Sequence, residues 1–351
     1  MNLLFLTSNE QPKDGWSVVG YNIEKNLKAN VDVFSSDNRD CVSFGKSTLK
    51  SELFSGMKGI LFIFLDVLNI ILKKDFIPDI IHCNVEFYAP VAMILSKIWN
   101  VPYTITAHGT YGVLLPTKYK LYKKAFENAN KVICVSNFTK KRMIEENINC
   151  NFEVILNGVD KAKFKPNKDI KKENIITFVG NLKTRKGLRY LLDGMIKVGK
   201  LNSKIQLVII GNINTKHEGY INILKFIKQN NLNVKFTGKI TEKELIEYYQ
   251  KTKLNILPSQ TEPFYFEGFG LIHVEANACG TLTIGTKNSG NEDAIIDGNG
   301  YLVEYGNVEE LSKKIIEIFE MKNYPEVNYS KLYDWKYVAN QYEKLFRSIA
   351  K

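Results

Sequence analysis

The sequence predicts an α/β protein of two doubly wound parallel units, and three observations carry that expectation. Short apolar runs alternate with helical patterns along the whole chain, the signature of parallel α/β architecture. A polar, lysine-rich stretch from Asp160 to Lys168, containing Pro166, divides these runs into two sets. The length of 351 residues leaves each half enough chain to bury its own core.

In the first half the strands are expected at Leu3–Leu6, Val31–Phe34, Ile80–Cys83, Tyr103–Thr106, Val132–Val135 and Val154–Leu156. In the second they are Ile175–Val179, Leu207–Ile210, Val234–Phe236, Leu254–Leu257, Thr283–Ile284 and Tyr301–Val303. The expected domains are 1–165, 166–334 and a tail at 335–351. That tail reads as a helix with Trp335, Val338, Tyr342 and Phe346 on one apolar face, packing back on the N-terminal domain. Two such units are expected to face each other across a cleft, with ligands at the carboxyl ends of the strands. The N-terminal MNLLFLTSNE has no basic region and reads as a strand, not a signal peptide. Ile60 to Leu72 contains Asp66 and Asn69 and is too short to span a bilayer, so it reads as a buried or interfacial helix.

Composition narrows the class. With 44% apolar and 24% charged residues the chain is that of a soluble globular protein. Cys41, Cys83, Cys134, Cys150 and Cys279 are scattered, include no CxxC, and read as free thiols in a reducing cytoplasm. The net charge of +11 is shared by the two halves. Between Lys118 and Arg142, however, eight basic residues stand against Glu127 alone, with Tyr119, Tyr122 and Phe126 interleaved. Either this is a solvated helix face with its aromatics turned inward, or it meets anionic lipid headgroups. Nucleic acid ranks third, because no nucleic-acid-binding signature accompanies the charge.

The segment Glu267-Gly-Phe-Gly-Leu-Ile-His-Val-Glu275 is the most informative of the motifs. Its glycines let backbone N–H groups approach a ligand, and a helix beginning near Leu271 aims its positive end at an anion. Glu267 then precedes the helix and Glu275 lies about one turn inside it. Two acceptors around a set of N–H donors suit a nucleotide sugar. Gly180-Asn-Leu-Lys-Thr-Arg185-Lys186-Gly187 follows a strand and precedes a helix, which makes it a diphosphate site by charge and dipole. Asp14-Gly15-Trp16-Ser17 occupies the first βα turn. Taken alone it reads as an ordinary turn, and it lacks GxGxxG. His108-Gly109 follows a strand and is expected at the cleft mouth. His82 reads as core, His217 as a loop residue, and His273 lies on the helix after Leu271. No metal-ligand spacing and no GxSxG elbow occur, so no metal site is expected and a serine hydrolase is disfavoured.

Taken in order, these segments resemble the family-4 glycosyltransferases, retaining enzymes of GT-B architecture. The likeness also includes Val135-Ser136, Asn157-Gly-Val-Asp160, Phe236-Thr-Gly238 and Leu257-Pro-Ser259, and it runs over nearly the whole chain. The resemblance implies that Glu267 contacts the donor sugar and Glu275 the ribose hydroxyls. Gly268, Phe269, Gly270 and Leu271 would hold sugar and phosphate oxygens through their backbone. Arg185 and Lys186 would neutralise the leaving diphosphate, Gly15 would approach it, and His108 would contact the transferred sugar. Lys239 and Ile240 match the base-binding position. Asn181 stands where many relatives carry arginine, with Arg185 the candidate replacement, and Ser289-Gly290 replaces the usual paired glycines.

The expected function is therefore retaining, metal-independent transfer of a hexose-type sugar from a nucleotide diphosphate sugar to a glycan or lipid-linked acceptor. No cofactor beyond the donor is implied. The expected setting is polysaccharide or lipopolysaccharide biosynthesis in the cytoplasm, either free or peripheral on the inner face of a membrane, with the Lys118–Arg142 stretch as the candidate contact to anionic lipid in the second case. A nucleotide-sugar epimerase, or a binding protein without turnover, are the alternatives; a nicotinamide-dependent dehydrogenase is disfavoured by the missing fingerprint.

Overall fold

The computed structural model describes residues 1–12, 14–35, 57–73, 76–212, 218–329 and 333–350. Cys41 and His217 lie outside the described residues. The chain forms two units, Met1–Asn157 with Tyr333–Lys351, and Gly158–Leu332.

Unit 1 contains β1 (Asn2–Thr7), α1 (Gly15–Asn26), β2 (Asn30–Ser35), α2 (Met57–Lys73), β3 (Ile80–Cys83) and α3 (Ala89–Trp99). It continues through β4 (Tyr103–Ala107), α4 (Thr110–Lys118), α5 (Lys120–Glu127), β5 (Lys131–Cys134), α6 (Asn137–Glu145) and β6 (Phe152–Val154). Its sheet is parallel with order β2-β1-β3-β4-β5-β6. Right-handed crossovers in that order put α1 on one face and α2, α3, α5 and α6 on the other. The strand expected at Val154–Leu156 lies two residues earlier, because its ladder partner β5 ends at Cys134, opposite Val154.

Unit 2 runs through β7 (Glu173–Val179), α7 (Leu188–Leu201), β8 (Gln206–Ile210), α8 (Glu218–Gln229), β9 (Val234–Gly238), α9 (Glu242–Lys251) and β10 (Thr252–Leu257). After these come α10 (Leu271–Ala278), β11 (Leu282–Thr286), α11 (Asn291–Ala294), β12 (Gly300–Val303) and α12 (Val308–Glu320). The parallel order is β12-β11-β10-β7-β8-β9. Its core joins Ile176, Phe178, Leu207 and Ile256 of the sheet to Leu191, Met195 and Leu311 of the helices.

The last helix, α13 (Trp335–Ile349), belongs to unit 1 and packs on α1. Trp335, Val338, Tyr342 and Phe346 are buried, as the apolar spacing requires. The stretch read as a linker belongs to unit 2. Phe164 is buried with its ring 6.5 Å from that of Tyr249, Lys163 pairs with Glu242 at 2.9 Å, and Gln250 donates to the Lys165 carbonyl at 2.8 Å. Lysine-rich composition marked exposed chain there, but a single aromatic and two α9 partners tie it down.

Among the described cysteines Cys83, Cys134 and Cys279 are buried, Cys150 is half-buried, and all four are free thiols. No helix among the described residues is long and apolar enough to cross a membrane.

Candidate active site

The sheet order of unit 2 reverses at β7 and β10, whose connections leave in opposite directions. In open parallel sheets the loops at such a point form the ligand crevice. After β7 the chain makes a 3-10 turn at Thr184–Lys186, closed by Lys186 N–H to the Lys183 carbonyl and Gly187 N–H to the Thr184 carbonyl. Gly187 has φ +73°, and a Cβ there would stand 1.8 Å from the Pro258 carbonyl oxygen, so only glycine lets the turn press against the end of β10. The Gln260 N–H donates to the Arg185 carbonyl at 2.7 Å, fastening the turn to the opposing loop.

That geometry delivers two cations to one carboxylate. Arg185 Nη1 lies 3.2 Å and Lys186 Nζ 2.5 Å from the same Glu267 oxygen, Oε2. Arg185 also donates to the Phe266 carbonyl at 3.2 Å. Burial raises the Glu267 carboxyl, but Lys186, then Arg185, outweigh it and bring the group down to about 2. Lys183 is lowered by partial burial and by the positive charge of Arg185 and Lys186. Two cations on one carboxylate leave an excess of positive charge.

The Glu267 carbonyl accepts from Gly290 N–H at 2.8 Å, which ties this loop to the start of α11. Gly268, Phe269 and Gly270 are buried. Gly270 caps α10 at φ +87°, and a Cβ on it would stand 2.8 Å from both Asn291 Oδ1 and His273 Cδ2. No side chain caps the N-terminus of α10, so its positive end, opening at Leu271, adds to the cationic character of the loop. Burial lowers His273 to about 4, with Glu267 opposing, so its imidazole is neutral near pH 7.

Glu275 has a separate environment. It accepts from the Tyr249 hydroxyl at 3.3 Å, and burial pushes its carboxyl up to about 7 against that hydrogen bond. Lys239 is exposed just beyond β9, while the Ile240 side chain packs against Ile175, Val208 and Ile210. Asn181 is exposed, its carbonyl accepting from Lys183 N–H.

Unit 1 has its own switch point, at β1 and β3. Asp14 caps α1 reciprocally with Ser17, each side chain bonding the other's N–H at 2.9 Å. Gly15 opens that helix with nothing within 4 Å of where a Cβ would stand, so packing does not demand glycine there. His108 follows β4, and its Nε2 lies 2.6 Å from the Asn84 carbonyl oxygen. A carbonyl only accepts, so Nε2 carries the proton and Nδ1 is the acceptor nitrogen. Burial lowers this imidazole to about 4, with the Asn84 carbonyl and Asp14 opposing, and leaves it neutral. The fully buried Glu86 accepts from His108 N–H at 2.7 Å and holds the turn in place.

Of the residues singled out in the sequence, Arg185, Lys186 and Glu267 come into direct contact, with Gly268 to Leu271 continuing the same loop. Glu275, Lys239 and Ile240 have other neighbours within unit 2, and Gly15 and His108 belong to unit 1. His82 is core, as expected, sandwiched between the Thr104 and Thr106 hydroxyls. Glu86, Asn84, Tyr249 and Asn291 were not singled out as site residues. Only Glu86 carried a signal, a carboxylate three residues past a strand end. Among the described residues no group of three His, Cys, Asp or Glu side chains is placed to hold a metal ion.

Two family models match, "Glycosyl transferases group 1" over residues 159–332 and "Glycosyltransferase Family 4" over residues 17–163. An uncharacterised glycosyltransferase of Methanocaldococcus jannaschii is 27% identical over 283 residues, covering 78% of this chain and 76% of that protein. Among solved structures, a sucrose-phosphate synthase from Thermosynechococcus elongatus superposes with a TM-score of 0.82 at 20% identity, covering 99% of this chain and 98% of that one. Anabaena HepE in complex with UDP-glucose superposes with a TM-score of 0.76 at 19% identity, covering 99% and 100%. At such identities these structures share the fold.

Proposed function

The chain belongs to the glycosyltransferases, family 4 in its first half and group 1 in its second, and from that premise we propose that it transfers a hexose-type sugar from a nucleotide diphosphate sugar to a glycan or lipid-linked acceptor with retention of configuration. The observation that carries this reading is the Arg185–Lys186–Glu267 cluster at the β7/β10 switch point, beside the open N-terminus of α10.

Glycosyl transfer breaks the bond from the anomeric carbon to the diphosphate oxygen, so negative charge grows on the phosphate. Arg185, Lys186 and the α10 N–H groups are assigned to stabilise it, a task that side-chain cations and helix dipoles perform without a metal. In a front-face reaction the acceptor oxygen attacks on the side the diphosphate leaves, and the departing phosphate oxygen takes the acceptor's proton. Glu267, ionised by its two cations, fits a role in holding the sugar and the cations. Glu275 is assigned to the ribose hydroxyls, the Phe269–Leu271 backbone to sugar and phosphate oxygens, and Lys239 and Ile240 to the base. Gly15 and His108 are assigned contacts to diphosphate and sugar, His108 accepting through Nδ1.

The test is a thermal-shift screen of UDP- and GDP-sugars, followed by transfer assays with the stabilising donor. The expected product has the donor's anomeric configuration by NMR, and chelation leaves the rate unchanged. An inverted product overturns retention. Conversion of the donor sugar without acceptor points to an epimerase, and donor binding without turnover to a binding protein.

A further inference from the structure

Helix α2 carries large apolar side chains on its outer side. Ile60, Leu61, Phe64, Leu68 and Leu72 are 61, 54, 59, 40 and 75% exposed. Four of these recur every fourth residue and so lie one above another along the helix. The opposite side is buried through Ile63, Val67 and Ile70. A surface helix ordinarily turns polar residues outward, and this one turns large apolar residues outward while its buried side carries Asp66 among apolar neighbours. The neighbouring α3, which packs on α2, adds the exposed Ile98 and Lys97.

The charge lies on the same layer. Helix α3 packs in turn on α5, and all three helices cover one face of the unit 1 sheet. In α5, Tyr122, Ala125 and Phe126 face inward, while Lys120 and Lys124 are exposed. The cationic stretch noted in the sequence is thereby narrowed. On α6, Lys141 and Arg142 are engaged by Glu145 and Glu146, and on α5 Lys123 pairs with Glu127, so Lys120 and Lys124 carry the exposed positive charge of α5.

We propose that this layer docks on an anionic bilayer surface, with the Ile60–Leu72 stripe lying in the headgroup–acyl boundary and Lys97, Lys120 and Lys124 meeting lipid phosphates. An exposed apolar helix face accompanied by lysines matches an interface that is apolar below and anionic above. A protein partner would have to supply both a greasy groove and an acidic rim. The inference is separate from the Arg185–Lys186–Glu267 cluster, which belongs to unit 2.

The test is flotation of the full chain with vesicles of phosphatidylcholine alone or with phosphatidylglycerol. Wild type is expected to float with the anionic vesicles and to release at high salt. Leu61→Gln/Phe64→Gln/Leu72→Gln should reduce vesicle partitioning at least ~100-fold, because each change removes an inserted apolar side chain. Lys120→Gln/Lys124→Gln should lose about fivefold per lysine, on the anionic vesicles only. Unchanged donor-induced thermal shifts in both variants establish that they fold and keep the donor site. Wild type that stays with the aqueous fraction overturns the proposal, as does a triple variant that floats like wild type. A self-association by sedimentation that the triple variant abolishes, with no vesicle binding, assigns the stripe to a second copy and also overturns it.

Discussion

Lys186 and Glu86 show how a single side chain sets the chemistry around it. The Lys186 ammonium is the largest influence opposing burial at Glu267. Replacing it in Lys186→Met should therefore raise the Glu267 carboxyl. The expected result is a fall of roughly 10²–10³-fold in kcat from the lost cation, with the acid limb of the pH–rate profile moved to higher pH. An unmoved acid limb would separate Glu267 from the activity. Glu86 is the opposite case, since burial raises it to about 7 against the backbone N–H bonds it accepts. Near pH 6 the folded chain then holds a proton that the unfolded chain has released, so stability falls as pH rises from the ordinary glutamate range to about 7. Glu86→Gln keeps an acceptor for His108 N–H and removes this dependence. It should melt like wild type at pH 5 and above it at pH 8, by thermal unfolding followed with circular dichroism. Glu275 is raised in the same sense. Glu267, lowered to about 2, contributes stability above the ordinary glutamate range that is lost as pH falls toward 2.

The element that positions the cations is the 3-10 turn between β7 and α7. Its conformation depends on Gly187, and Gly187→Ala sets a Cβ against the Pro258 carbonyl at a positive φ. The expected cost is at least about 2 kcal/mol of stability in denaturant unfolding, with Arg185 and Lys186 displaced and donor affinity lost together. The twelve strands among the described residues could be read from the chain, because the central ones are buried, continuous apolar runs and the others are short apolar or β-branched stretches between turn residues. The turn was legible as a glycine–cation motif after a strand, and the start of α10 as a glycine before an apolar period. The partner of Glu275 was not. Tyr249 lies on α9, and nothing in local spacing relates it to a residue of α10. Asn291 at Gly270 escaped for the same reason, whereas Glu86 was marked by its place just past a strand end and only its bond to His108 N–H was not.

For the whole chain the consequence lies in the return of α13 to unit 1. Trp335, Val338, Tyr342 and Phe346 are buried there, the Tyr342 hydroxyl reaches Thr106 at 3.2 Å, and Glu343 accepts from the Lys28 and Ala29 N–H groups. Burying those four side chains is worth about 8 kcal/mol, against a typical domain stability of about 5–15 kcal/mol. Removing residues 334–351 should therefore unfold unit 1 and leave unit 2 able to bind nucleotide sugar. Limited proteolysis should show unit 1 degraded and a fragment near 158–332 surviving. Survival of both units would place the anchoring of unit 1 elsewhere. The sequence by itself determined the α/β class, the strands and the glycosyltransferase motifs, since these rest on period, turn residues and short-range spacing. Only the tertiary structure decided that Arg185 and Lys186 meet on one oxygen of Glu267, that Glu275 answers to Tyr249, and that α2 is apolar on its outer side. Those facts depend on which strands lie side by side and which helix faces they leave open, and no residue spacing along the chain encodes that.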